Sequence, residues 1–248
     1  MPNLPIALQL YSVRKECEKD LAAVLDAVAE MGYEGVEFAG YYGRDADELH
    51  ALVSDRGLEV VGTHIGIQTL LGDELEKTVE FNKTLGNRYL IVPGLPREYT
   101  DSLDAWKRTA DVFNGLAEKV AEVDMQVGYH NHTAEFKKTD GECAWDVFAR
   151  ATREDVVLQL DTGNALHGGG DVLACLEAYP NRSGTVHLKE HSAENDKALI
   201  GEGDIPWQDV FRLCETVGGT QWYIVEQETY AYSPLVTVQK CLQNLRTM

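Results

Sequence analysis

The chain has 248 residues, 44% of them hydrophobic, and a formal net charge of −19 from 41 acidic and 22 basic side chains. That length suits one domain whose core needs no disulfide or metal to fold. The acidity argues against a nucleic-acid backbone as main partner, because such binding rests on clustered Lys and Arg.

Taken in chain order, short β-like runs at residues 6–10, 35–38, 59–64, 89–92, 126–130, 156–160, 185–188 and 222–225 alternate with amphipathic stretches. Helices are expected over 21–31, 45–55, 74–85, 102–123, 144–152, 172–177, 206–217 and 233–246. In the first, Leu21, Val24, Leu25, Val28 and Met31 recur at helical spacing and Gly32 supplies the stop. Pro206 and Pro234 fall where a first helical turn tolerates proline. Eight such units in series predict an α/β fold, a (β/α)8 TIM barrel that occupies residues 1–248 as a single domain. A doubly wound open sheet would usually carry a Gly-rich turn after its first strand, whereas the turn here, YSVRKECEKD, has no glycine. Residues 191–205 are expected to form a loop over the barrel mouth.

The five cysteines are odd in number, widely spaced and without a CxxC pair, which predicts reduced thiols and argues against a thiolate metal site. No apolar run approaches membrane-spanning length, and the N-terminal MPNLPIALQLYSVR lacks the layout of a secretory leader. A cytoplasmic location without membrane partners is the resulting expectation. Self-association is common among barrel enzymes, so a homo-oligomer is compatible with the chain, although no interface is marked.

Four segments end an apolar run on a polar residue of metal-binding type: VGYHNH (127–132), LQLDTGN (158–164), TVHLKEH (185–191) and WYIVEQE (222–228). Side chains so placed converge at the C-terminal mouth of a parallel barrel. Asp161, His187 and Glu226 therefore form the sharpest candidate for a divalent-metal site. Taken singly, Asp161 reads equally well as a helix cap and His187 as a satisfied core histidine. An acidic residue such as Glu226 at the end of an apolar strand is costly to bury unless paired or metal-bound. On the fifth strand His130, His132 or Glu135 could complete a four-ligand set. Nitrogen and oxygen donors without thiolate suit one divalent ion, with Mn2+ the first expectation and Zn2+, Co2+ or Mg2+ also accommodated. Gln9, Tyr11, Glu37 and His64 are candidate substrate-binding residues on the inner faces of strands one to three. Trp207 reads either as a wall against a sugar ring or as a hydrophobe at a helix start.

With LQLYSVR at the start, GYEGVEFAG at strand two, GYHNHTAEF at five, LQLDTGN at six, HLKEH at seven, GEGDIPW in the next loop and IVEQE at eight, the whole chain resembles the xylose-isomerase-like barrel family. Its members are often labelled sugar phosphate isomerases/epimerases. The resemblance implies a divalent metal held by carboxylates and a histidine from strands five to eight, which maps onto Asp161, His187 and Glu226. Ketose epimerases of the family usually carry a metal-binding, proton-moving glutamate on strand five, and His130 stands at that position.

The leading expectation is a metal-dependent sugar isomerase or epimerase that works on a small carbohydrate through a stabilised enediolate. Glu226 is the expected proton-transfer carboxylate, with Glu135 a candidate for the missing second carboxylate. Lys189 and His132 would orient substrate oxygens or stabilise the enediolate. The alternatives are a metal-dependent lyase or hydratase acting on a keto-glycoside, and a non-catalytic sugar-binding or scaffold barrel. A DNA-cutting metalloenzyme on the same barrel needs more ligands than can be placed. No Gly-rich phosphate loop follows strands seven or eight; Gly168-Gly169-Gly170 follows strand six instead.

Overall fold

The computed structural model describes residues 2–139 and 141–248. Eight parallel strands close into a barrel: β1 (Ile6–Gln9), β2 (Gly35–Ala39), β3 (Glu59–His64), β4 (Tyr89–Val92), β5 (Gln126–His130), β6 (Val157–Asp161), β7 (Thr185–Leu188) and β8 (Trp222–Val225). Each pairs with its sequence neighbours, and β1 pairs with β8 to complete the ring. The expected strands are all present, with ends shifted by a residue at β1, β2 and β6. The shift at β6 matters, because it makes Asp161 the last residue of the strand.

Helices α1 (Arg14–Met31), α2 (Ala46–Ser54), α3 (Glu74–Leu85), α4 (Leu103–Ala121), α5 (Ala144–Ala151), α6 (Thr162–His167), α7 (Val172–Ala178), α8 (Trp207–Leu213) and α9 (Pro234–Thr247) surround the barrel. The expected start at residue 21 has a physical basis inside α1. Asp20 leaves helical geometry at φ −157°, and its carboxylate caps the following turn at Ala23 N, 3.0 Å away. Gly32 ends the helix in the left-handed region at φ +92°, where a side chain would be strained. Pro206 precedes α8 rather than occupying its first turn, whereas Pro234 opens α9 as expected. Residues 162–164, expected as a turn, begin the short helix α6, and Lys138–Thr139 pairs antiparallel with Glu142–Cys143, a pairing that no sequence pattern marks.

Strand alternation divides the interior in two. Outward residues such as Leu8, Val36, Leu90, Tyr129, Leu158, Val186 and Tyr223 join one large core between barrel and helices. One part of it is an aromatic seam: Phe113 and Phe148 meet edge-on at 5.0 Å between centroids, and Tyr129 lies 5.5 Å from Phe148. Inward residues are apolar only near the bottom, where Ala7, Val61 and Ile224 form one small cluster and Tyr89, Ile91 and Val157 another. Above these the inward positions turn polar.

Phe148→Ala should remove part of the aromatic seam and cost about 3–5 kcal/mol in urea unfolding. Val236→Ala, at a side chain 39% exposed, should stay within about 0.5 kcal/mol of wild type. A loss below about 1 kcal/mol for Phe148→Ala would show that this seam does not hold the helices to the barrel.

Candidate functional site

Every strand except β4 brings a polar side chain to the upper interior. Gln9 ends β1, Glu37 lies on β2, His64 ends β3 and His130 ends β5. Gln159 and Asp161 come from β6 and His187 from β7; Lys189 and Glu226 directly follow β7 and β8. Glu37, Gln159, Asp161 and His187 are fully buried, and His130 and Glu226 nearly so. Burial of this much polarity demands partners.

His187 stands at the centre. Its Nδ1 lies 2.5 Å from Glu226 Oε2 and its Nε2 lies 2.5 Å from Glu37 Oε2. Burial alone would depress its pKa, but the two carboxylates outweigh that and push it up to about 10. For Glu226, burial works the other way; the charges of Lys189 and His187 with the His187 hydrogen bond overcome it and hold the carboxyl well below its ordinary range. Lys189 Nζ sits 3.5 Å from Glu226 Oε1 and also bonds Glu228.

Gln159 orders the opposite side. Its Nε2 donates to Glu37 Oε1 and to Thr185 Oγ1, each at 2.8 Å. Its Oε1 must therefore accept, from His64 Nε2 at 2.8 Å and His130 Nδ1 at 3.1 Å. Burial, with His187 and His64 nearby, lowers the His130 pKa far below the usual value, so the ring is neutral. With its proton on Nδ1, His130 presents the Nε2 lone pair toward Asp161 Oδ2, 3.9 Å away.

Asp161 both caps a helix and offers an oxygen to the cluster. Its Oδ1 caps α6 by accepting from Asn164 N at 2.7 Å. Its Oδ2 is buried without any hydrogen-bond partner and lies 3.9 Å from Lys189 Nζ. Burial, reinforced by the Glu226 charge and opposed by Lys189 and His187, raises its pKa to about 7. Asn131 fixes the backbone beneath, accepting from Asp161 N at 2.8 Å and donating to its carbonyl at 3.2 Å.

His130, Asp161, His187 and Glu226 each offer one ligand atom, and these atoms lie within 4.8 Å of one another. Two imidazole nitrogens and two carboxylate oxygens, with Asp161 Oδ2 left without a hydrogen bond, fit a divalent cation. A cavity of about 540 Å³ opens above, lined among others by Tyr11, His64, His130, His132, Glu226 and Glu228.

Several expected site residues lie elsewhere or do something else. Glu135 does not reach the cluster: it faces the helix side of β5, where it accepts from Tyr129 OH at 2.7 Å and His132 N at 2.9 Å. Trp207 forms no wall of this cavity; it is packed at 6% exposure, and its indole N–H donates to Glu190 Oε2 at 2.9 Å. Glu190 also accepts from the backbone N–H groups of His191, Gly201 and Ile205 at 3.0, 2.7 and 3.3 Å, cinching the loop after β7. Gln9 and Glu37 lie under the cluster, with Gln9 Nε2 donating to Glu37 Oε2 at 2.7 Å. Gln159 and Glu190 were missed. Gln159 was within reach of the alternation argument, as it shares a face with Asp161 two positions on; no such signal marks Glu190.

A sequence-family profile described as xylose isomerase-like TIM barrel matches residues 25–247. An inosose dehydratase of Erwinia tasmaniensis is 28% identical, the alignment covering 85% of this chain and 83% of that protein. One from Clostridium perfringens is 24% identical over 85% and 83%. A crystal structure of a sugar phosphate isomerase/epimerase from Parabacteroides distasonis superposes with a TM-score of 0.85 at 24% identity, covering 99% of this chain and 94% of that one.

Asp161→Asn keeps the α6 cap and removes the buried charge. The folded protein binds the Asp161 proton more tightly than the unfolded chain, so this site's contribution to stability falls as pH rises from the ordinary carboxyl value of 3.8 to about 7. In metal-free protein at mildly alkaline pH, the Asn variant should unfold about 1–3 kcal/mol later in urea than wild type. It should also lose divalent-metal uptake by elemental mass spectrometry. A less stable Asn variant would show that the carboxylate is satisfied as it stands.

Proposed function

The chain belongs to the xylose isomerase-like TIM barrel family, and on that footing we propose that it is a metal-dependent dehydratase of a small, uncharged polyhydroxylated ketone of the carbohydrate or inosose kind. The observation that carries this reading is the distribution of bases around the cavity. Both carboxylates in its lining, Glu226 and Glu228, come from the β8 side, while the β5 side presents His130 and His132. Elimination needs a base for the C–H proton and an acid for the departing oxygen, and Glu226 on one side with His132 on the other supplies that pair. The similarity to two inosose dehydratases points the same way. None of the described residues lining the cavity is Lys or Arg, which supports a substrate without phosphate.

His130, Asp161, His187 and Glu226 would hold the ion, with Mn2+ the first choice and Zn2+, Co2+ or Mg2+ accepted by the same donors. When bound, it would polarise the substrate ketone and so acidify the neighbouring C–H. The Glu226 carboxylate, kept ionised by Lys189 and His187, removes the proton from the carbon beside the ketone. The C–H electron pair becomes the enolate, while Lys189 stays against the Glu226 and Glu228 carboxylates. As the carbonyl re-forms, the double bond shifts to join the deprotonated carbon to its next neighbour in the chain or ring, and the C–O bond at that neighbour breaks. His132 gives its proton to the departing oxygen, which leaves as water, and the proton on Glu226 returns to His132 through solvent. Tyr11 and His64 flank the substrate in the cavity.

Mn2+-loaded protein incubated in D2O with unphosphorylated ketoses and inososes should release one water from its substrate, read by mass spectrometry. Glu226→Gln should lower kcat by roughly 10²–10⁴-fold. His132→Ala should suppress water loss while deuterium still enters the carbon beside the ketone. Inversion of that carbon, or interconversion of ketose and aldose, with no water lost would replace this reading by epimerisation or isomerisation.

A further inference from the structure

Glu37 is a fully buried carboxylate that does not line the cavity. All of its neighbours in hydrogen-bonding distance are nitrogens that can donate. Gln159 Nε2 lies 2.8 Å from Oε1. Gln9 Nε2 and His187 Nε2 lie 2.7 and 2.5 Å from Oε2, while His64 Nε2, 3.2 Å away, gives its proton to Gln159 Oε1. An ionised carboxylate is an acceptor only, and no other side chain of this size could satisfy all of these donors at once. The chain makes room for it: a Cβ on Gly62 would lie within 2.4 Å of Glu37 Oε1.

We infer that Glu37 is a positioning residue that holds the proton of His187 on Nε2, so that Nδ1 is the nitrogen His187 offers to the ion. The inference rests on the divalent-metal site proposed above. A histidine ligand is set by the partner of its other nitrogen. Here the Nε2 side is closed by Glu37, and Nδ1 faces Glu226 in the four-residue cluster. Gln159 does the same for His130 with the opposite nitrogen, taking the Nδ1 proton and freeing Nε2. Glu37 and Gln159 are joined by their own hydrogen bond, so one buried pair sets both imidazoles. Glu37→Gln would turn an amide NH2 against at least one of these donors and break the arrangement without changing the volume.

Metal affinity of wild type and Glu37→Gln, by competition with a chelating dye, should differ by about 10- to 100-fold. Long-range 1H–15N correlation spectra of the Zn2+-loaded wild type should show the His187 proton on Nε2, a signature that a merely structural role for Glu37 would not set. Equal affinities in the two proteins, or a His187 proton on Nδ1, would overturn the inference. Should Glu37→Gln fail to fold, the wild-type spectrum decides alone. A wild type that takes up none of Mn2+, Zn2+, Co2+ or Mg2+ would sink the metal site itself, a failure distinct from wild-type affinity in the variant.

Discussion

Buried charge is the condition that the upper half of this barrel is built to meet. Glu37 and Asp161 have no exposure and Glu226 is 5% exposed, and each would be expensive to ionise in such a place without a partner. His187 answers two of them at once, from its two ring nitrogens. Lys189 adds a second cation beside Glu226 and Asp161. One oxygen, Asp161 Oδ2, has only this 3.9 Å approach of Lys189 and no hydrogen bond, beside the neutral Nε2 of His130. That oxygen is therefore the point in the cluster where a further donor or cation could still be taken.

The strands can tolerate this because their two faces do separate jobs. Leu8, Val36, Leu158 and Val186 face the helices and supply stability through one continuous apolar layer. Their neighbours Gln9, Glu37, Gln159 and His187 face inward and are organised by hydrogen bonds instead. Polar side chains in a core that is closed at the bottom by Ala7, Val61 and Ile224 cannot exchange partners with bulk water from below. That closure keeps side-chain donors of His130, Asp161, His187 and Glu226 within a few ångströms of one another. Gly62 shows how tightly the two jobs interlock, since even a methyl group on β3 would displace the Glu37 carboxylate.

The loop after β7 follows a similar rule. Glu190 turns inward to four N–H donors, three of them backbone, and so fixes a segment with no regular structure. Trp207 belongs to that cinch. Its residue type suits a sugar platform as well as it suits packing, and only the position of Glu190 separates the two. Glu135 is a comparable case. Its spacing from His130 allows a return to the cavity, but Tyr129 and the His132 backbone lie closer and claim both oxygens.

The amino-acid sequence by itself determined the barrel, because eight apolar runs alternating with amphipathic stretches leave few other ways to bury both kinds of face. It also marked Asp161, His187 and Glu226, because strand alternation places the inward residue at a strand end without reference to the rest of the chain. Only the tertiary structure decided what these residues touch. That Glu37 supports His187, that Gln159 turns His130, and that Asp161 both caps a helix and keeps one oxygen unpaired are contacts between segments far apart in sequence. Local pattern fixes which way a side chain points; the partner it finds there depends on the register and shear of the closed sheet, to which no single segment holds the key.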